Sequence, residues 1–282
     1  MSVQLIAENL CFYYTDEDGN RLSGDVLKNI SLKIEKGSFV AILGHNGSGK
    51  STLARLFNGI LVPISGKVLV NGIDTSDDDN IYEVRRHVGM VFQNPDNQIV
   101  AAIVEDDVAF GPENLGISPK EIRVRVDNAL RAVDMYDYRL HAPSQLSGGQ
   151  KQKVAIAGII AMRPDCIILD EPTAMLDPKG RNDVINTIHM LHREYGLTVV
   201  LITHYMDEAA EAERVIVMDN GEIIMDDTPE KVFTKPEVLQ AVGLDVPQST
   251  ELLWKLNMSG IPVPINAINE EDCVDTVINL FT

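Results

Sequence analysis

The sequence predicts an α/β fold with a parallel core sheet, a small antiparallel sheet near the N-terminus, an inserted helical lobe and a short C-terminal domain. Three observations carry that expectation. The apolar runs Phe39–Leu43, Cys166–Leu169, Thr198–Ile202 and Arg214–Met218 are continuous rather than alternating, as befits strands covered on both faces. A glycine-rich stretch follows the first run and opens into Thr52–Phe57, whose apolar spacing is helical. From about Asn94 to Met162 helical patterning dominates.

In chain order, Leu5–Ala7, Leu10–Tyr14 and Leu27–Ile34 have the composition of short strands, with the polar turn Thr15–Asn20 among them. Pro119–Ile122 opens one helix of the lobe and Gln150–Ile160 forms another. An amphipathic helix from about Lys179 to Tyr195 separates the strands Cys166–Leu169 and Thr198–Ile202, the pattern of a parallel sheet with crossover helices. After Gly221–Ile224 the text changes to a polar, proline-punctuated tail opening at Pro229–Phe233. The expected organisation is a first domain over residues 1–228, with its helical subdomain at about 94–164, and a second over 229–282.

A chain of 282 residues can bury one large core and an appendage. With 45% hydrophobic and 23% charged residues it has the balance of a globular protein, which excludes a disordered or fibrous one. Apolar stretches such as Val154–Met162 fall far short of the roughly 20 residues that cross a bilayer. The start, Met1–Gln4, lacks a secretory signal, so a cytosolic location is expected. A net charge of −18 opposes a nucleic-acid surface or direct adhesion to anionic lipid, so any membrane contact must run through another protein. Cys11, Cys166 and Cys273 are odd in number and widely spaced, which predicts buried, reduced thiols.

The chemistry begins at Gly44-His45-Asn46-Gly47-Ser48-Gly49-Lys50-Ser51, followed by Thr52. Two glycines with four residues between them, then lysine and a hydroxyl residue, form a P-loop. Its glycines turn backbone N–H groups toward phosphate oxygens, and the following helix adds the positive end of its dipole. Lys50 is placed to reach the β- and γ-phosphates, and Ser51 to ligate Mg²⁺. Leu169-Asp170-Glu171 closes an apolar strand, where a carboxylate can face a P-loop across a parallel sheet. Asp170 then suits the Mg²⁺ shell, and Glu171 suits a general base for water.

Leu146-Ser147-Gly148-Gly149-Gln150, just ahead of a helix, is a second glycine loop suited to phosphate. It resembles the signature motif of ABC ATPases. Phe92-Gln93 resembles their Q-loop, Ala174–Asp177 their D-loop, and Thr203-His204 their switch histidine, so the resemblance spans roughly residues 3–228. It implies a RecA-like core with an antiparallel β subdomain and a helical subdomain, using ATP and Mg²⁺. It further implies a head-to-tail dimer in which Ser147, Gly148, Gly149 and Gln150 meet the partner's ATP. Gln93 would touch metal and water, Asp177 would communicate across the dimer, His204 would contact the γ-phosphate, and Tyr14 would stack on adenine. Two positions depart from the family: Ala174-Met175 replaces the usual serine and alanine of the D-loop, and Lys153 stands where arginine is common.

Asn94–Ile99, Val104–Pro112, His45 and Met175 are similar to the energy-coupling-factor group, specifically its first A-component. That resemblance implies a vitamin or micronutrient importer. In it this chain would pair with a second A-component ATPase, a copy or a different chain, on the cytoplasmic face of the membrane. A membrane T-component would dock on Gln93–Ile99, an S-component would bind the substrate, and residues 229–282 would help pair the ATPases. The alternatives are the ATPase of another ABC importer or an ABC protein outside transport. A P-loop kinase would leave Leu146–Gln150 without a purpose.

Overall fold

The computed structural model describes residues 3–22 and 24–280. The chain runs β1 (Val3–Phe12), β2 (Leu27–Glu35), β3 (Phe39–Leu43), α1 (Lys50–Phe57), β4 (Ser65–Val70), β5 (Ile73–Asp74), α2 (Ile81–His87) and β6 (Val88–Val91). It continues through α3 (Val104–Asn114), α4 (Pro119–Ala132), α5 (Gly148–Ala161), β7 (Cys166–Asp170), α6 (Pro178–Tyr195), β8 (Thr198–Ile202), α7 (Met206–Ala210), β9 (Arg214–Asp219) and β10 (Glu222–Asp227). Four helices close it: α8 (Pro229–Phe233), α9 (Pro236–Ala241), α10 (Gln248–Met258) and α11 (Glu270–Ile278).

The four continuous apolar runs become four adjacent strands in a six-stranded sheet of order β10-β9-β3-β8-β7-β6. All its neighbours pair in parallel except β9 with β10. Both faces are covered, as continuous apolarity requires. Val40 and Ile42 face a core shared with α1 and the N-terminal sheet, whereas Phe39, Ala41 and Leu43 face the core of α3, α4, α5 and α6. The N-terminal sheet, β2-β1-β4-β5, is antiparallel throughout.

The expected strands Leu5–Ala7 and Leu10–Tyr14 are one strand, β1, whose register shifts between Ala7 and Leu10. A bulge spoils the alternation there without ending the pairing. Cys11 is half-buried rather than buried, and its Sγ lies 3.3 Å from the Asn29 N–H that donates to it. Cys166 and Cys273 are buried and free. No helix among the described residues is long and apolar enough to cross a membrane.

Beyond β10 the chain divides its loyalties. Val232, Phe233, Leu239, Leu244 and Val246 pack into the main core, while Leu253, Val263, Ala267 and Cys273 form a separate small cluster under α10 and α11.

Candidate functional site

The phosphate loop is held open by its neighbours. Gly49 caps α1 with φ 103°, and a Cβ there would lie 2.9 Å from the Val26 carbonyl, so a side chain is excluded on both counts. His45 braces the loop from outside, with Nδ1 2.7 Å from Asn46 O and Nε2 2.8 Å from Asp219 at the end of β9. Lys50 is 5% exposed, and its Nζ donates to the carbonyls of Gly44 and His45 at 2.7 and 3.0 Å. Burial lowers its pKa, against the pull of Glu171 and Asp170. Ser48 is fully buried, and its hydroxyl has no partner. A buried lysine and an unpaired hydroxyl beneath the exposed tip Asn46-Gly47 suit an anion laid across the loop.

Opposite this loop the strand ends supply oxygen. Ser51 donates to Asp170 Oδ1 at 2.8 Å, although the two are 119 residues apart. Burial pushes the Asp170 carboxyl up and the Ser51 hydroxyl pulls it back, with the rise winning. No cluster of three or more metal-ligating side chains occurs among the described residues. A hydroxyl and one carboxylate suit Mg²⁺, which commonly takes few protein oxygens and completes its shell with water and substrate phosphate.

Glu171 follows at φ 50°, an unusual conformation for a non-glycine residue. Its N–H donates to Ile202 O at 2.9 Å, which pins the turn to the end of β8. Gln93 Nε2 donates to Glu171 Oε2 at 3.0 Å, and His204 Nδ1 lies 3.6 Å from the same oxygen. Strain at a site that two other segments hold in place is characteristic of functional positions.

Tyr14 borders the loop from just beyond β1: its hydroxyl lies 3.1 Å from Thr52 Oγ1, and its ring meets Phe12 edge-on at 5.0 Å. The second glycine loop lies elsewhere. Ser147 caps α5, accepting from Gln150 N at 3.3 Å while Gln150 Oε1 accepts from Ser147 N at 2.9 Å. Ser147, Gly148, Gly149 and Gln150 line one cavity with Met175, Leu176 and Asp177, and no residue of the phosphate loop reaches it. Asp177 caps α6, accepting from Gly180 N at 3.1 Å, and Met175 is exposed.

A family model for the ABC transporter matches residues 27–174. A protein of Clostridium perfringens named energy-coupling factor transporter ATP-binding protein EcfA1 is 55% identical over 274 residues, covering 97% of each chain. A protein of the same name from Caldanaerobacter subterraneus is 56% identical over 277 residues, covering 98% of this chain and 99% of that one. The chain belongs to the energy-coupling factor ABC ATPases. Among solved structures, cbiO1 of Clostridium perfringens, described as part of the transporter complex cbiONQ, superposes with a TM-score of 0.74. It is 40% identical and covers 86% of this chain and 95% of its own. The ATP-binding cassette MJ0796, described as dimeric in a post-hydrolysis state with ADP and Pi, gives a TM-score of 0.70 at 33% identity, covering 80% and 98%.

This ABC ATPase therefore gathers Lys50, Ser51, Asp170, Glu171, Gln93 and His204 beyond the ends of β3, β6, β7 and β8, and sets Ser147–Gln150 and Asp177 apart. Sequence reasoning missed the wall beside the Q-loop. Gln98 Oε1 accepts from Phe92 N at 3.1 Å, and Lys151 reaches Asp96 at 2.7 Å. The loop so fixed borders a groove of about 590 Å³ lined by Tyr82, Met90, Phe92, Val100, Phe110 and Ile159 among others. Tyr82 and Phe110 come from α2 and α3, too distant in sequence for any motif to join them.

Proposed function

We propose that this chain is the A-component ATPase of an energy-coupling factor importer for vitamins or related micronutrients, and that it supplies half of each composite ATP site. The observation that carries the reading is Glu171, held by Gln93 beside His204 and one residue beyond the Ser51–Asp170 bond. Lys50 and the loop N–H groups of Gly44–Ser51 bind the phosphates, and Tyr14 offers its ring to the adenine. Glu171 accepts a proton from the attacking water, and Gln93 and His204 fix its orientation. Ser51 and Asp170 would hold Mg²⁺, which would supply charge neutralisation to the phosphates.

Ser147, Gly148, Gly149 and Gln150 face outward on a different surface from Lys50, so they serve the nucleotide of a second ATPase subunit. Asp177, in the same cavity, lies where that subunit's presence is felt. A T-component segment seats in the groove beside Gln93–Ile99, where Tyr82, Val100 and Phe110 are 74, 64 and 51% exposed. Such a patch marks a protein contact. The complex sits on the cytoplasmic face of the membrane, S-components choose the substrate, and residues 229–282 help pair the ATPases.

The test is Glu171→Gln in the chain assembled with its membrane subunits. Loss of a general base costs about 10²–10⁴-fold, so hydrolysis should fall by that factor with ATP still bound. Wild-type hydrolysis by this variant contradicts the assignment.

A further inference from the structure

Glu208 is a buried acid outside the sequence motifs. It lies on α7, is 3% exposed, and both its oxygens are engaged by threonine hydroxyls. Thr173 Oγ1 donates to Oε1 at 2.7 Å, and Thr203 Oγ1 donates to Oε2 at 2.6 Å. Both threonines are 1% exposed. Thr173 stands between Glu171 and Asp177, and Thr203 immediately precedes His204. One carboxylate thus joins two segments that are 30 residues apart in the chain and hold the three groups most sensitive to placement.

The connection extends on either side. Thr203 Oγ1 accepts from Tyr205 N at 3.1 Å, and Thr203 N donates to Ile42 O at 3.3 Å at the end of the strand leading into the phosphate loop. Arg181, on the first turn of the helix that Asp177 caps, sets Nε 3.5 Å from Glu208 Oε1 and donates to Asp207 at 2.7 Å. Its guanidinium lies 3.6 Å over the Tyr205 ring, which in turn stacks against His204 at 4.2 Å. Burial pushes the Glu208 carboxyl up, while the two hydroxyls and Arg181 pull it back.

We propose that Glu208 is a positioning residue for hydrolysis: it fastens the segment carrying Glu171 and Asp177 to the segment carrying His204, so that they move as one unit. Buried, with a threonine hydroxyl on each oxygen, it acts through its neighbours. A catalytic group displaced by about 1 Å can cost roughly 10²-fold in rate, and a slack Thr173–Glu208–Thr203 clasp permits such displacement. The inference rests on the roles given above to Glu171 and His204.

The experiment measures kcat and KM for ATP in the assembled transporter. Thr173→Val and Thr203→Val keep the side-chain shape and lose the hydroxyl, whereas Thr173→Ser and Thr203→Ser keep the hydroxyl. Each valine variant should lower kcat about tenfold or more with KM within twofold, and each serine variant should stay within twofold of wild type. Glu208→Gln accepts from one hydroxyl only and should fall similarly. Combined with Thr203→Val it should lose less than the product of the two single effects, since both break one clasp. If Glu208→Gln fails to fold, the threonine variants carry the test. Valine variants at wild-type kcat, or serine variants as slow as valine ones, overturn the inference. Glu171→Gln, run alongside, separates the two readings: if it hydrolyses normally the site assignment has failed, and if it is inactive while the valine variants are normal, only the clasp has.

Discussion

Lys50 and Asp170 face each other in burial, and their displaced pKa values have one physical source. Desolvation disfavours both charges, lowering the lysine and raising the carboxyl, and each opposes the other's shift. An anion brought to Lys50 restores the solvation that burial removed, so Lys50→Ala should lose about 10²-fold or more in hydrolysis in the assembled transporter; an unchanged rate contradicts the phosphate role. At the opposite end of β7, Asp165 tests electrostatics away from the nucleotide. Burial raises its carboxyl, but His87 at 2.6 Å, Asn71 at 3.0 Å and Lys36 outweigh that and hold it below the usual 3.8. A depressed carboxyl contributes stability present above its unfolded value and lost as pH falls through the folded one. Asp165→Asn should therefore melt below wild type at pH 7, and the two melting temperatures should converge below about pH 4. A gap that persists in acid means that something other than the ionised carboxylate set it.

Helix starts carry much of the proposed function. Ser147 both caps α5 and faces outward, and these roles separate by substitution. Ser147→Asp retains a capping oxygen and sets a negative charge toward a neighbouring subunit's phosphates. Melting temperature should stay near wild type while hydrolysis by the assembled transporter falls more than tenfold; full activity would show that no phosphate approaches this loop. Gly148 answers to packing, since a Cβ there would lie 3.2 Å from Leu176 Cδ2 in the D-loop. At this scale the sequence was legible where pattern is local. The apolar strands β3, β7 and β8, the helix α6 and the glycine loops all announce themselves within a single element. β6 did not: it has four residues, and Gly89 in its middle exists because a Cβ there would lie 2.1 Å from Ile159 of α5. Glu208 was equally hidden. Asp207-Glu208 has the composition of a solvated helix start, and only the fold turns one of the pair inward between threonines 35 and 5 residues away.

The whole molecule presents two surfaces that the proposed function assigns to other subunits. One is the groove beside the Q-loop, where Phe110 is half-exposed. Phe110→Glu should leave ATP binding intact and abolish recovery of membrane subunits with the chain; unimpaired recovery removes the groove from the docking site. The other is the signature cavity, which shares no residue with the phosphate loop. On the proposed function, that separation makes hydrolysis a property of two subunits. The most direct test follows ATP turnover per chain as the concentration of the isolated chain is raised, beside the assembled transporter. Turnover per chain should be low when dilute, rise with concentration as subunits meet, and be highest in the complex. Turnover that is independent of concentration and equal to that of the complex would contradict the shared site.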